Sequence, residues 1–408
     1  MKCRHCGQLT SLPFLDLGSA PPSNAYLGKT DLNGPETWFP LRLLVCENCW
    51  LVQTEDHTGR EALFTQNYAY FSSYSSTWLA HAQHYVSEIV ERFHLNKHSQ
   101  VVEVAANDGY LLQYVQQLGI PCYGIEPTTS TANVAREKGI NIIEQFFGVD
   151  LAHELAQNNQ QADLIVANNV LAHVPDINDF VKGFSRLLKP QGVATFEFPH
   201  LLRLVQENQF DTVYHEHYSY LSLSAVQHVF LSNGLTIFDV EELPTHGGSL
   251  RVFVQVSDSA AHVRTSAVSK LLQVEAEAGI NSKDFYQNFQ TKAESVKDAF
   301  LKFLLDAKCK GLKIGAYGAA AKGNTLLNFA GVRPDLLPYV VDKNPAKKGQ
   351  YMPGSRIPIV DETYLRNDRP DYILILPWNL KTEMMAQLEY VREWNAKFVV
   401  AVPALEIL

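Results

Sequence analysis

With 408 residues, the chain is long enough for two or three domains with sizeable cores. It is 46% hydrophobic and 19% charged, an ordinary globular composition, and its net charge of -9 with no basic run argues against a nucleic-acid partner. No window approaches about 18 consecutive apolar residues and the start Met1-Lys2-Cys3-Arg4-His5 is no leader, so a soluble, cytoplasmic, membrane-free protein is expected.

Four of the six cysteines form two C-x-x-C pairs, Cys3/Cys6 and Cys46/Cys49. Two such knuckles can present four thiolates to one ion at tetrahedral geometry, which predicts a closed structural Zn2+ site. The alternative is two redox or incidental pairs. The intervening loop is rich in Pro and Gly and can hardly build its own core, so a metal would supply the missing stability. Cys122 and Cys309 are isolated and read as inert thiols. Asn67 to Tyr74 is dense in phenols, either as an aromatic cluster at a domain junction or as the lining of a polar cleft.

A helix is predicted over Trp78–Phe93 by its apolar spacing. Gln100–Ala105 reads as a buried parallel strand running into a small-residue turn, Ala105-Ala106-Asn107-Asp108-Gly109, and then a helix. A second strand, Cys122–Ile125, ends in Glu126-Pro127. This βαβ unit lacks G-x-G-x-x-G, so it offers little cradle for a pyrophosphate. A carboxylate at Glu126 suits a ribose diol, and Glu103 near the turn suits a cation. Together they favour S-adenosylmethionine over NAD.

Asp163–Asn169 is read as the next strand, which places Asn168, Asn169 and His173 at the crevice. Gly192–Pro199 follows, with Glu197 at its tip. The run Tyr214-His215-Glu216-His217-Tyr218-Ser219-Tyr220 carries two imidazoles, a carboxylate and three phenols. It is a poor core strand and a plausible acid/base platform, the alternative being a polar surface strand. A strand would put His215 and His217 on one face; a helical turn would group Tyr214 with His217, and the second is expected. His246, Gly248 and Arg251 precede the strand Val252–Val254, where glycines allow close approach to an anionic or hydroxylated ligand, if they are more than a hairpin turn.

Phe285, Phe289, Val296, Phe300 and Phe303 predict one long amphipathic helix over Ile280–Ala307, its aromatics facing a core. Leu312–Thr325 is a second strand–turn–helix, containing Tyr317, Lys322 and Asn324, and the strand Tyr339–Val341 ends in Asp342 as Ile125 ends in Glu126. Asp371–Leu376 and Lys397–Val400 are further strands, so the C-terminal part looks like a weak repeat of the central one. Lys322, Lys347 and Arg356 form a cationic set suited to a diphosphate ester.

In this order, Cys3/Cys6/Cys46/Cys49, Glu103-x-x-x-Asn107-Asp108-Gly109, His173, Tyr214-His215-Glu216-His217, Gly315-x-Tyr317-Gly318-Ala319-x-Ala321-Lys322-Gly323 and Pro377-Trp378-Asn379 resemble the sugar C-methyltransferases of the tetronitrose C-3-methyltransferase type. The resemblance spans the whole chain. It implies an α/β protein: a zinc module (residues 1–70), a Rossmann-like class I methyltransferase domain (71–255) and a C-terminal Rossmann-like repeat (256–408) that helps bind a nucleotide-sugar. It implies S-adenosylmethionine held by Glu103, Ala105, Asn107, Asp108, Gly109, Glu126, Pro127, Asn168 and Asn169, with no second copy in the repeat. His217 would be the base, supported by Tyr214, Glu216, His173 and Tyr68. Substrate contacts would come from Tyr68, Glu197, His246, Gly248, Arg251, Tyr317, Lys322, Asn324, Lys347 and Trp378. The expected reaction is C-methylation, at C-3, of an NDP-linked 4-keto-6-deoxyhexose (dTDP-linked) by a monomer. Ala105-Ala106 depart from the Gly-Ser of many relatives. An O- or N-methyltransferase would need no donor for an enolate. A non-catalytic protein with this fold would be expected to have lost Glu126 or Asn107-Asp108-Gly109.

Overall fold

The computed structural model describes residues 1–55, 57, 59 and 71–408; Tyr68, with Asn67, Ala69 and Tyr70, lies outside the described residues. The described residues form three sheets. The first is antiparallel and joins β1 (Leu12–Ala20), β2 (Phe39–Val45) and β3 (Val52–Thr54) to β9 (Ser219–Tyr220), which comes from much later in the chain. The pair Val52↔Tyr220 therefore stitches the end of the tyrosine- and histidine-rich run into the N-terminal sheet.

The second sheet runs β10 (Leu235–Leu243), β11 (Ser249–Val256), β8 (Leu188–Pro199), β7 (Ala162–Asn168), β4 (Val101–Val104), β5 (Cys122–Ile125), β6 (Ile142–Ile143). It is parallel from β6 to β8, and β11 enters antiparallel between β8 and β10. Strands covered on both faces must be apolar throughout, and Leu164, Ile165, Val166 and Ala167 of β7 are all buried. Helix Ile177–Leu187 covers one face, capped by the Asp176 carboxylate accepting from Asp179 N (3.0 Å). Its Phe184 lies 4.5 Å from Phe196 between ring centres, a contact worth about 0.5–1.5 kcal/mol beyond area burial. Strand order reverses at β4, and the crevice at its carboxyl end is where open α/β sheets bind ligands.

The third sheet repeats this plan in smaller form: β14 (Ile359–Val360), β13 (Val340–Val341), β12 (Ile314–Tyr317), β15 (Tyr372–Ile375), β16 (Lys397–Val400), β17 (Glu406–Ile407). Its order reverses at β12, and only β17 is antiparallel. Phe14, Leu15, Leu41 and Leu43 share one core with this third sheet, while Cys46, Cys49 and Leu51 share another with the second. The N-terminal sheet is thus wedged between the other two.

Two expectations from the sequence are corrected in detail. The predicted helix Ile280–Ala307 is broken: Lys283–Tyr286 is one short helix and Phe289–Cys309 another. Asn288 between them sits at φ 69, in the left-handed region that ends helices. The strand beginning at Gln100–Ala105 stops at Val104, because Ala105 already turns to φ 61.

Gly318, just after β12, has φ +88, and an added Cβ would approach Pro377 Cδ to 2.5 Å. Gly318→Ala is therefore expected to lower unfolding free energy by about 1–3 kcal/mol, read from a denaturant titration. A change below about 0.5 kcal/mol would show that this close approach does not constrain the turn.

Candidate active site

A cavity of ≈ 370 Å³ opens over the carboxyl ends of β4, β5 and β7, within the range of small-ligand sites. The first turn of the repeat lines one side of it and the second turn lines the other. Ala105, Asn107, Glu126, Pro127, Asn168 and Asn169 form the first wall. Ala320, Ala321, Lys322, Lys347 and Asn379 form the opposite wall, and the turn Tyr214–His217 lies between them.

In the first turn, Ala105 (φ 61), Asn107 (φ 50) and Gly109 (φ 74) all adopt left-handed backbone. Only Gly109 does so freely, and a Cβ there would meet Ile140 Cδ1 at 2.3 Å. Glu126 holds the turn open by accepting from Asn107 N and Thr128 N, both at 2.9 Å, and from the Thr128 hydroxyl. Asn107 and Asp108 also accept from Ser72 N (2.9 Å) and Ser73 N (3.1 Å), so they anchor the neighbouring segment. Glu103 is fully buried beneath the turn and does not line the cavity; burial pushes its carboxyl well above the usual range. Gly109 and Asp108 likewise stand behind the wall.

The second turn mirrors the first. Asp342, at the end of β13, accepts from Ala319 N (2.7 Å) and Asn344 N (2.8 Å). Here the acid also has a cation beside it, Lys347 Nζ at 3.8 Å, which donates to Ala319 O (2.7 Å). Tyr26 from the N-terminal loop donates to the same carbonyl at 2.6 Å. Lys322 donates to Asn379 Oδ1 (2.7 Å) and lies 4.6 Å over the Trp378 ring. Burial lowers its ammonium pKa, and the nearby Asp211 carboxylate opposes this. Burial raises Asp211 to about 6; it accepts from Trp378 Nε1 at 2.8 Å.

Tyr214 to His217 forms a turn closed by His217 N donating to Tyr214 O (2.9 Å), not a strand. The rings of Tyr214 and His217 are consequently 3.9 Å apart, and His173 stands 4.6 Å from His217. His217 Nδ1 lies 2.9 Å from Thr212 O, a carbonyl that can only accept, so Nδ1 carries the proton and Nε2 is left basic. His215 points away, its Nε2 3.2 Å from Phe39 O and Pro40 O. Glu216 accepts from Asn24 Nδ2 at 2.7 Å.

Several residues expected at the substrate instead lie outside the lining. Glu197 is buried behind it, accepting from Arg251 Nη2, His81 Nε2 and Thr245 Oγ1, each at 2.9 Å. Burial works against its charge, but His81 and Arg251 hold the carboxyl below its ordinary value. Gly248 backs onto Arg203, and Tyr317 is buried beneath the second turn. Asn324 donates to Ser23 O (2.6 Å), and Trp378 supports Lys322 from behind. His246 does line the cavity, at φ 54, paired with Asn169 Nδ2 at 3.1 Å; Asn169 is itself at φ 53. Strained backbone of this kind persists only where its surroundings dictate it.

Sequence reasoning missed Trp78, Gln145, Phe146, Asn24 and Asn379, all in the lining. Gln145-Phe146 follow β6, a strand of only two residues with no readable pattern. Asn24 lies in the Pro-rich loop, whose composition says nothing about its destination.

The four sulfurs of Cys3, Cys6, Cys46 and Cys49 lie within 4.8 Å of one another, with Cys3–Cys49 at 3.6 Å and Cys6–Cys46 at 3.5 Å. Tetrahedral zinc with bonds of about 2.3 Å separates its sulfurs by about 3.8 Å, so the set fits. A hydrogen bond from Cys49 pulls the Cys3 thiol down to about 4, while burial pushes Cys46 up to about 11; only a cation can make all of them thiolates.

Burial depresses His217 well below its ordinary value, and His173 and His246 to about 4. All are neutral at pH 7. As pH falls below 6.5 the unfolded chain binds protons that the native chain refuses, so stability falls until about pH 4. For His173 the whole effect is about 3 kcal/mol. His173→Gln should reduce the pH slope of unfolding free energy in that window by one proton; an unchanged slope would mean His173 is already protonated in the native state.

Three family models match the chain: "Putative zinc binding domain" over residues 3–64, "Methyltransferase domain" over 78–240 and "C-methyltransferase C-terminal domain" over 244–403. The C-methyltransferase NovU of Streptomyces niveus is 33% identical over 407 residues, covering 100% of this chain and 96% of NovU. A ubiquinone biosynthesis O-methyltransferase of Actinobacillus pleuropneumoniae is 31% identical over 107 residues, 24% of this chain and 44% of that enzyme. The crystal structure of magnesium protoporphyrin IX methyltransferase from Synechocystis, with bound SAM, is 15% identical and aligns with 44% of this chain and 80% of its own at a TM-score of 0.33. The match along nearly the full length of NovU, with a crevice built as above, shows that the chain belongs to the C-methyltransferase family as an S-adenosylmethionine-dependent methyltransferase with an N-terminal zinc-binding module.

Proposed function

We propose that this enzyme methylates carbon, at C-3, of a nucleotide-linked 4-keto-6-deoxyhexose, by way of an enolate raised by His217. The observation that carries the reading is His217 itself: a neutral imidazole whose Nδ1–H is committed to Thr212 O, so that Nε2 is the basic atom of a residue lining the cavity. Carbon beside a carbonyl becomes nucleophilic only after losing a proton, and a buried neutral base held in one tautomer suits that step. Tyr214, 3.9 Å away, supplies a phenol that can donate toward the developing oxyanion. Glu216, oriented by Asn24, and His173 support the base, with Tyr68 proposed to join from the N-terminal side.

Glu126 and Pro127, with Ala105, Asn107, Asn168 and Asn169, would hold the cofactor, whose sulfonium supplies an electrophilic methyl group. Glu103, Asp108 and Gly109 would act by shaping that turn from behind. Lys322, Lys347 and Asn379 line the cavity too, and the charge of the two lysines suits a diphosphate, with dTDP as the nucleotide. His246 would contact the sugar. Glu197, Gly248, Arg251, Tyr317, Asn324 and Trp378 would serve by supporting the wall that the sugar meets. In this reading the zinc module (1–70), the methyltransferase domain (71–255) and the repeat (256–408) act together, in a cytoplasmic monomer.

Labelled S-adenosylmethionine with a C-3-deuterated 4-keto-6-deoxy sugar nucleotide should give methylated product in which the deuterium is lost. Product retaining it would rule out the enolate. His217→Asn should lower kcat by at least about 100-fold while calorimetry shows unaltered cofactor binding. Wild-type turnover in that variant would remove the base assignment.

A further inference from the structure

Arg4 stands between the first two cysteines of the metal cluster, yet its side chain leaves that cluster. Nη1 donates to Pro175 O at 3.3 Å and Nη2 to Thr54 O at 3.1 Å. The guanidinium carbon lies 4.8 Å from the centre of the Tyr218 ring. The backbone of Arg4 is fixed as well, its N–H by Gln53 Oε1 (2.9 Å) and its carbonyl by Asn178 Nδ2 (3.3 Å).

Two of these partners, Pro175 and Tyr218, lie close in sequence to the paired histidines. Pro175 ends the loop that carries His173, and Tyr218 follows His217. Thr54 reaches both sides of that second junction, donating from N to Tyr218 O (3.1 Å) and from Oγ1 to His217 O (3.3 Å). Tyr218 N in turn donates to Ala172 O at 2.8 Å, next to His173. The guanidinium thus closes a ring of contacts around the two imidazoles. A planar fork can bridge two carbonyls and lie over a phenol at once, which an ammonium cannot do.

We propose that Arg4 is a positioning residue for methyl transfer, bracing the His173 loop against the Tyr214–His217 turn so that the two rings keep their 4.6 Å edge-to-face arrangement. The zinc knuckle then contributes to catalytic geometry through its second residue, beyond stabilising its own loop. This inference rests on His217 being the base.

The test uses the full zinc-loaded chain, with zinc content and melting temperature measured on every variant. Arg4→Ala is expected to keep its zinc and its KM for S-adenosylmethionine within about twofold while kcat falls about 10- to 100-fold. Spectra of ¹⁵N-histidine protein should show the His173 and His217 ring signals displaced. Arg4→Lys, restoring one of the two bonds, should recover part of kcat. Tyr218→Leu, which removes the ring beneath the guanidinium and leaves the knuckle intact, should move kcat and the ring signals the same way, and it decides the matter if Arg4→Ala does not fold. Wild-type kcat, or unmoved ring signals, in a folded zinc-loaded variant overturns the proposal. So does a loss of kcat that tracks lost zinc alone. Should the wild type itself fail to methylate the ketosugar, the functional reading falls, and the ring signals still decide on Arg4.

Discussion

A turn that is polar, aromatic and buried cannot be held by apolar packing, and everything around Tyr214–His217 answers that constraint. Each backbone group there must find a partner or cost about 1–3 kcal/mol. The partners come from all directions: Thr325 Oγ1 reaches Val213 O (2.8 Å) from the third sheet's first helix, Thr54 holds His217 O from the first sheet, and Tyr218 N bonds Ala172 O beside the second sheet. Removing any sheet would leave part of this turn unsatisfied. The wedge position of the N-terminal sheet follows, because only there can β3 pair with β9.

The same burial sets the electrostatics. The imidazoles of His173, His217 and His246, placed out of water, stay neutral, whereas the buried Glu197 carboxylate is paired with Arg251 at 2.9 Å. Lys322 is a cation of the cavity wall, lying between the Trp378 face and Asn379. A low-dielectric pocket strengthens whatever charge develops inside it, and the Lys322 ammonium helps keep His217 and His246 neutral.

The strands of the two parallel sheets were legible because residues buried on both faces leave unbroken apolar runs, as at Leu164–Ala167. The cysteine pairs and the acid closing the second strand were legible from spacing. What escaped reading has physical causes. A two-residue strand such as β6 or β9 has no period, so neither Gln145-Phe146 nor the stitching of Tyr220 to Val52 could be foreseen. Asn288 broke the long helix by a left-handed turn that the aromatic spacing of Phe285 and Phe289 conceals. Glu197, Arg251 and Asn324 carry polar heads that suggest ligands, but each is hydrogen-bonded within the protein and lies outside the cavity lining, a distinction only three-dimensional neighbours reveal.

The two acids that close matching strands, Glu126 and Asp342, have different neighbours. Glu126 is bonded to the turn it shapes and to Thr128, while Asp342 has Lys347 tethered beside it and Tyr26 covering the adjoining carbonyl. A tethered ammonium competes at an effective concentration of about millimolar or above, whatever the solution contains. A ribose reaching Asp342 would therefore meet an ammonium already held 3.8 Å from that carboxylate. Duplication of the fold thus gives two matching strand ends per chain, the first with its acid bonded to backbone and the second with its acid beside an ammonium group.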